Sequence, residues 1–197
     1  MRDLFGPRAN FGQRCIRELP EVGRKLDALR ELDPSVVIGL TSGTFDMLHL
    51  GHSRYLDMAK QFCDILVVGV DADAKVRKRK GPKRPVVSEE ERYEIVCNTR
   101  QADIVVPKLA EHPRWELVRT ARPHVLIISE REYVEGDERE ELRQLVSSWG
   151  GKLEILPTQA ETSTTARIRV LMLEVVDEFE KEFMKFFERF REALRVM

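Results

Sequence analysis

From residue 36 onward the chain alternates two kinds of hydrophobic pattern. Short, nearly unbroken apolar runs occur at 36–40 (VVIGL), 65–70 (ILVVGV), 103–107 (DIVVP), 124–129 (HVLIIS) and 152–157 (KLEILP). Between them lie 51–62, 89–99, 114–121 and 137–149, whose apolar residues recur at helical spacing. A strand covered on both faces reads as a continuous apolar run, whereas a half-exposed strand alternates with polar residues. Five such runs separated by helical segments predict right-handed βαβ crossovers, with helices on both faces of a parallel sheet. The expected fold class is α/β, a Rossmann-like doubly wound parallel five-stranded sheet. Such sheets bind ligands beyond the carboxyl ends of the strands, near the switch in strand order. The segments that follow each strand are therefore the places to look for chemistry.

Two additions flank the alternating core, giving an N-terminal helical extension (1–33), a central domain (34–169) and a C-terminal amphipathic helix (170–197). The first contains a short helical stretch, PEVGRKLDALREL, ended by DPS, and shows nothing catalytic. From Thr164 to the end there is no Gly or Pro, which predicts one long helix. Its apolar residues include Met172, Val176, Phe179, Phe183, Phe186, Phe187, Phe190 and Leu194, and it holds five of the nine Phe. So wide an aromatic arc suits either a helix covering the sheet or a dimer-forming helix. A homodimer is the expected assembly.

Composition narrows the partners. The 197 residues suffice for one α/β domain with a real core. Lys+Arg number 33 against 34 Asp+Glu, so overall charge gives no reason to expect nucleic acid or an anionic membrane. Any anion binding must be local. No apolar run approaches the roughly 20 residues needed to span a bilayer. The stretch MRDLFGPRAN lacks a signal-peptide layout, so a cytoplasmic protein is expected. Cys15, Cys63 and Cys97 are odd in number and have no CxxC spacing, which points to buried free thiols rather than a disulfide framework or a zinc site.

The local anion site is marked by TSGTFDMLHLGHSRYL, residues 41–56. A glycine, Gly43, follows the first strand and permits a tight turn through Thr44, Phe45 and Asp46. His49, Gly51 and His52 then fall where the next helix should start, beside its unpaired N–H groups and positive dipole end. Anions bind readily there. Imidazoles at i and i+3 share one helical face, and Gly51 between them leaves room for a phosphate. Zinc is less well served, because no third protein ligand stands out.

On these residues the chain resembles the HxGH nucleotidyltransferase superfamily. Within it, the similarity is to the cytidylyltransferase-like branch, which includes glycerol-3-phosphate, ethanolamine-phosphate and choline-phosphate cytidylyltransferases and heptose-phosphate adenylyltransferases. The resemblance covers roughly residues 36–169 and rests first on GTFDMLHLGH. Further matches follow in order. VDADAKVRKRKGPKRPVVSEEERYEIV resembles the segment in which a lysine before a glycine reaches the nucleotide phosphates, here Lys80 before Gly81, on a phosphate-facing loop. Asp73 in the same segment is a candidate for binding the acceptor. Ser88 and Glu91 form a capping-box pattern, and Arg92 matches a family arginine near the active site. TSTTARIR resembles the Ser-Thr-Thr segment that contacts the triphosphate, here Ser163, Thr164 and Thr165.

The resemblance implies nucleotidyl transfer: an acceptor's phosphate oxygen attacks the α-phosphorus of CTP or ATP, and pyrophosphate leaves. His49 and His52 would donate to the α-phosphate, Lys80 and Arg92 would offset charge on the pyrophosphate, and Mg²⁺ would bridge the triphosphate. Thr44 and Asp46 would order the turn. The chain departs from the family pattern after the fourth strand, where relatives carry GGD or GDD and this sequence has Ser129, Glu130, Arg131, Glu132 and Tyr133. Arg131 and Tyr133 are candidates for an acceptor grip. Relatives using CTP on glycerol or ethanolamine phosphate tend to have an arginine and a glycine before the Ser-Thr-Thr segment, where Thr158 and Glu161 stand here. SSWGGKLEILP is similar instead to the heptose-phosphate adenylyltransferases. The nucleotide is thus open between CTP and ATP, and the acceptor is a small phosphorylated alcohol, polyol or sugar. Two other readings compete: FMN adenylyl transfer, and a catalytically silent nucleotide-binding scaffold. A class I aminoacyl-tRNA synthetase is excluded by length and by the lack of a KMSKS-like segment.

Overall fold

The computed structural model describes residues 11–131, 136–159 and 164–195. Five parallel strands, β1 (Ile38–Gly43), β2 (Ile65–Asp71), β3 (Ile104–Lys108), β4 (Val125–Ser129) and β5 (Lys152–Leu156), form one sheet in the order β3-β2-β1-β4-β5. The order reverses beside β1, which lies at the centre with β2 on one edge and β4 on the other. The crevice beyond its carboxyl end is therefore the switch point.

Alternate residues of each continuous apolar run serve opposite faces. Ile65 and Val67 join Leu19, Val22 and Leu26 of α2 (Leu19–Leu32), Leu117 and Val118 of α6 (Glu116–Ala121) and Leu142 and Val146 of α7 (Asp137–Ser147). Leu66, Val68 and Val70 join Leu56 and Ala59 of α3 (Leu50–Lys60) and Tyr93, Val96 and Cys97 of α5 (Glu89–Cys97) on the other side. Burial of Val22 and Leu26 makes α2 an integral layer of the sheet's cover. A short α1 (Phe11–Arg14) precedes it, and an isolated bridge from Cys15 to Val105 ties this segment to β3.

Two segments differ from the pattern-based expectation. Strand β1 starts two residues later than 36 and runs on through Thr41 and Ser42, because β2 pairs with it as far as Gly43. Thr41 is wholly buried, and the Tyr55 hydroxyl lies 2.7 Å from its hydroxyl, which satisfies the polar group inside the sheet. The basic stretch after β2 is not a loop but helix α4 (Asp73–Lys80). Lys and Arg are good helix formers, Val76 anchors the helix in the interior, and Gly81 ends it at φ +93°. Four cations in its last turn complement the negative end of the helix dipole.

Cys15, Cys63 and Cys97 are all free thiols, two of them buried and Cys63 half-buried. Lys60 and Asp103 form a buried ion pair, and the same Asp103 oxygen accepts the Leu66 N–H at 2.7 Å. Burial nevertheless holds the Asp103 carboxyl above its ordinary value. The chain divides into two units, Met1–Glu161 and Thr162–Met197. The second is built from α8 (Thr164–Arg195), 32 residues long, as the absence of Gly and Pro predicts. No helix among the described residues is long and apolar enough to cross a membrane.

Candidate active site

The turn from β1 to α3 folds back on itself with two residues at positive φ, Phe45 (53°) and Met47 (47°). Phe45 is driven into that conformation because its ring is buried in the core on the α3 side. Gly43 is needed for the same ring. A Cβ there would lie 3.1 and 3.2 Å from the ring atoms Cε2 and Cζ. Its service to the turn is thus room for Phe45. Gly43→Ala is expected to cost about 1–3 kcal/mol through overpacking, readable as a lowered urea midpoint.

At the start of α3 the two histidines cap the helix reciprocally. His49 is the N-cap, and its Nδ1 accepts the Gly51 N–H at 3.1 Å. His52 occupies the third helical position, and its Nδ1 accepts the His49 N–H at 3.3 Å. This is a capping box built from imidazoles, where Ser and Glu usually serve. It stacks the rings, with centroids 3.9 Å apart and planes 25° apart. An imidazole that accepts through Nδ1 carries its proton on Nε2 when neutral. The backbone bonds therefore place the proton of each neutral ring on Nε2, within the first turn of α3.

Thr44 gathers the cations. Its buried hydroxyl accepts from Arg79 at 2.9 Å and from Lys80 at 3.2 Å. Arg79 also reaches Asp71 at the end of β2, 2.9 Å away. Asp71 is almost fully buried, and its other oxygen, Oδ1, lies 3.4 Å from Lys108 Nζ without a hydrogen bond. Burial first, then the neighbouring Lys108 charge, pull the Lys75 ammonium below its ordinary value. Lys75, Arg79, Lys80 and Lys108 thus leave an excess of positive charge around Asp71 at the carboxyl ends of β2 and β3.

Asp46 orders the neighbouring loop. Its Oδ1 accepts the Val86 and Val87 N–H groups at 3.0 Å each, and Oδ2 pairs with Arg84 at 3.3 Å. Arg92 differs from its expected place beside pyrophosphate. Its side chain has no exposed surface, and its guanidinium donates to the Val87, Thr44 and Asp71 carbonyls and to the Asp73 carboxylate, at 2.6–3.0 Å. The physical reason lies in α5, which carries Arg92 on the face turned into the interior with Tyr93 and Val96. Arg92 is a positioning residue that pins the β1 turn, the end of β2 and the start of α4 together. Asp73, proposed for the acceptor, is the carboxylate that pairs with it, and its own N–H donates to Glu89 at 2.6 Å.

The remaining sequence candidates are distributed as follows. Gly51 is buried at the first turn of α3. Arg131 follows β4, its N–H donating to the Ser129 hydroxyl at 3.3 Å. Thr164 and Thr165 open α8. Tyr133 and Ser163 lie outside the described residues. Arg79, Asp71 and Lys108 were not singled out by sequence, although Arg79 directly precedes Lys80 and the other two close apolar strands.

Residues 40–170 match the cytidylyltransferase-like family. The chain belongs to that family. It carries a nucleotidyltransferase domain, and the family match spans the HxGH turn, α4 and the opening of α8. Similar curated proteins include the bifunctional protein HldE of Syntrophotalea carbinolica, 37% identical over 144 residues, which are 72% of this chain and 27% of that protein. The bifunctional protein HldE of Geobacter sulfurreducens is 37% identical over 132 residues, 67% of this chain and 26% of that protein. The chain thus spans about a quarter of the length of these relatives. Among solved structures, the lipopolysaccharide core biosynthesis protein from Thermoplasma volcanium superposes with a TM-score of 0.53 at 24% identity, covering 65% of this chain and 100% of that one. Pantoate-beta-alanine ligase from Francisella tularensis gives 0.56 at 14% identity, covering 75% and 67%. At these identities the two structures show the shared fold alone.

Proposed function

We propose that this chain transfers the nucleoside monophosphate of ATP to the phosphate of a small phosphorylated sugar, releasing pyrophosphate. The observation that carries the reaction type is the reciprocal histidine cap, which fixes two imidazole donors at the N-terminus of α3 beside the switch point. The resemblance to heptose-phosphate adenylyltransferases supports a sugar phosphate as acceptor. ATP is favoured over CTP by the likeness of SSWGGKLEILP to the heptose-phosphate adenylyltransferases, and by Thr158 and Glu161 where CTP-using relatives have arginine and glycine.

An acceptor phosphate oxygen is already a competent nucleophile, so no enzyme side chain needs to attack. It forms a bond to the α-phosphorus while the bond from that phosphorus to the bridging α,β-oxygen breaks, and the electron pair leaves with pyrophosphate. Catalysis then rests on positioning and charge stabilisation. His49 and His52 donate from Nε2 to the α-phosphate oxygens as negative charge builds there. Lys80, held at Thr44, meets the outer phosphates, and Arg79 and Lys108 add to the positive field at the strand ends. Arg92 holds the turn in register from beneath. By the family resemblance, Ser163, Thr164 and Thr165 are the candidates for triphosphate recognition, and Arg131 and Tyr133 for the acceptor.

Mg²⁺ would arrive with the triphosphate and neutralise its outer charge. Among the described residues no three His, Cys, Asp or Glu side chains gather as a metal cage. Asp46 and Asp73 are held by backbone N–H groups or arginine. That donor set suits an ion kept mainly by phosphate and water oxygens.

The test is pyrophosphate release with the four nucleoside triphosphates crossed with phosphorylated sugars, polyols, amino alcohols and FMN. Turnover is expected with ATP and a sugar phosphate, lost on chelation and restored by Mg²⁺. Turnover confined to CTP overturns the choice of nucleotide, and turnover confined to FMN overturns the acceptor. No turnover with any pair leaves the scaffold reading standing.

A further inference from the structure

The length of α8 exceeds what a nucleotidyltransferase unit uses. The family match ends at residue 170, yet α8 continues to Arg195. Its 32 residues span about 48 Å at 1.5 Å per residue, against roughly 30 Å for a small domain. Among the described helices the next longest is α2 with 14 residues.

The apolar stripe on α8 has the repeat of a helix pair. Met172, Val176, Phe179, Phe183 and Phe186 follow one another at spacings of four, three, four and three, and the series continues in sequence to Phe190 and Ala193. This 3.5-residue average is that of a left-handed two-helix seam. Met172 is 64% exposed, Phe179 68% and Phe183 49%. The rings of Phe179 and Phe183 lie 6.0 Å apart by centroid, and those of Phe183 and Phe187 lie 5.1 Å apart, which builds an aromatic ridge along one side. A patch of this extent marks an interaction surface.

Charge identifies the occupant and its direction. Between 174 and 182 the helix carries Glu174, Asp177, Glu178, Glu180 and Glu182 against Lys181 alone. From 185 to 195 it carries Lys185, Arg189, Arg191 and Arg195 against Glu188 and Glu192. A parallel partner would set the acidic half against its own copy. An antiparallel copy sets acidic against basic over the same length. The acidic half also disfavours an anionic lipid surface, which binds helices with basic polar faces.

We propose that α8 pairs antiparallel with α8 of a second copy of this chain, with Phe183 of each helix opposite Phe186 of the other at the centre. This register sets position 179 opposite 190 and 176 opposite 193, and brings Glu182 beside Arg189 on each flank. In a parallel pair Glu182 would instead neighbour Phe187. The proposal does not depend on the nucleotide or acceptor, so its failure and failure of the enzymatic assignment are separable.

The experiment is sedimentation equilibrium of the full chain across the micromolar range. The wild type is expected to be a dimer. Phe183→Glu is expected to raise the dissociation constant by about 100-fold or more, with unchanged far-UV circular dichroism. Glu182→Arg is expected to weaken association several-fold, and the double variant Glu182→Arg/Arg189→Glu to restore it. A monomeric wild type, or a dimer indifferent to Phe183→Glu, overturns the proposal. A double variant no tighter than the single one overturns the antiparallel register. A monomeric wild type that binds anionic vesicles reassigns the ridge to a lipid surface.

Discussion

Replacing His52 by alanine is expected to lower kcat by about 10²- to 10³-fold, the usual loss for one preorganised donor to a developing oxyanion. The same substitution removes the acceptor of the His49 N–H. Loss of a helix cap costs about 0.5–2 kcal/mol of stability, so a fall in activity alone would not separate the two roles of the imidazole. His49→Asn does separate them. Asparagine is a good N-cap and can take over the Gly51 N–H, but it has no equivalent of Nε2 at that reach. Its unfolding midpoint is expected to stay near wild type while kcat falls as far as in His52→Ala. A His49→Asn protein with near-normal turnover would reduce the pair to a capping device.

Arg92→Ala is expected to destabilise the fold by about 3–5 kcal/mol, the cost of breaking a buried charge pair from one side. The deletion strands the Asp73 carboxylate together with three carbonyls from the β1 turn, the end of β2 and the loop before α5. Arg92→Lys is expected to recover little, because one ammonium cannot replace a planar fork serving four acceptors. Urea or thermal unfolding of the purified variants measures this directly. An Arg92→Ala protein with the wild-type midpoint and impaired turnover would return the residue to a phosphate-binding role. The two variants thus differ in kind: His52 should act mainly on kcat, and Arg92 mainly on the amount of folded protein.

The alternation of strand and helix was legible because a doubly covered sheet writes every strand as an apolar run. The β1 turn was legible for another reason: two imidazoles flanking a glycine behind a strand have few alternative explanations. Helix α4 was hidden, since only Val76 of its eight residues is buried and its charges mimic a solvated loop. The burial of Arg92 was hidden as well. Periodicity places an arginine on a helix but says nothing about whether four backbone and carboxylate acceptors wait on the inner side. Thr44 as the meeting point of Arg79, Lys80 and Arg92 needed coordinates, because the three come from α4 and α5, more than 30 positions away in sequence. The reciprocal capping of His49 and His52 was within reach of sequence, given their i and i+3 spacing at a helix start, but imidazoles are rarely read as caps.

The proposed charge stabilisation requires the protonation pattern that the cap imposes. Long-range ¹H–¹⁵N correlation spectra of the imidazoles, recorded at neutral pH before and after addition of Mg²⁺ and ATP, measure it most directly. Both His49 and His52 should be Nε2-protonated tautomers whose Nε2 resonances move on nucleotide binding. Nδ1-protonated rings, or Nε2 resonances indifferent to saturating nucleotide, would contradict it.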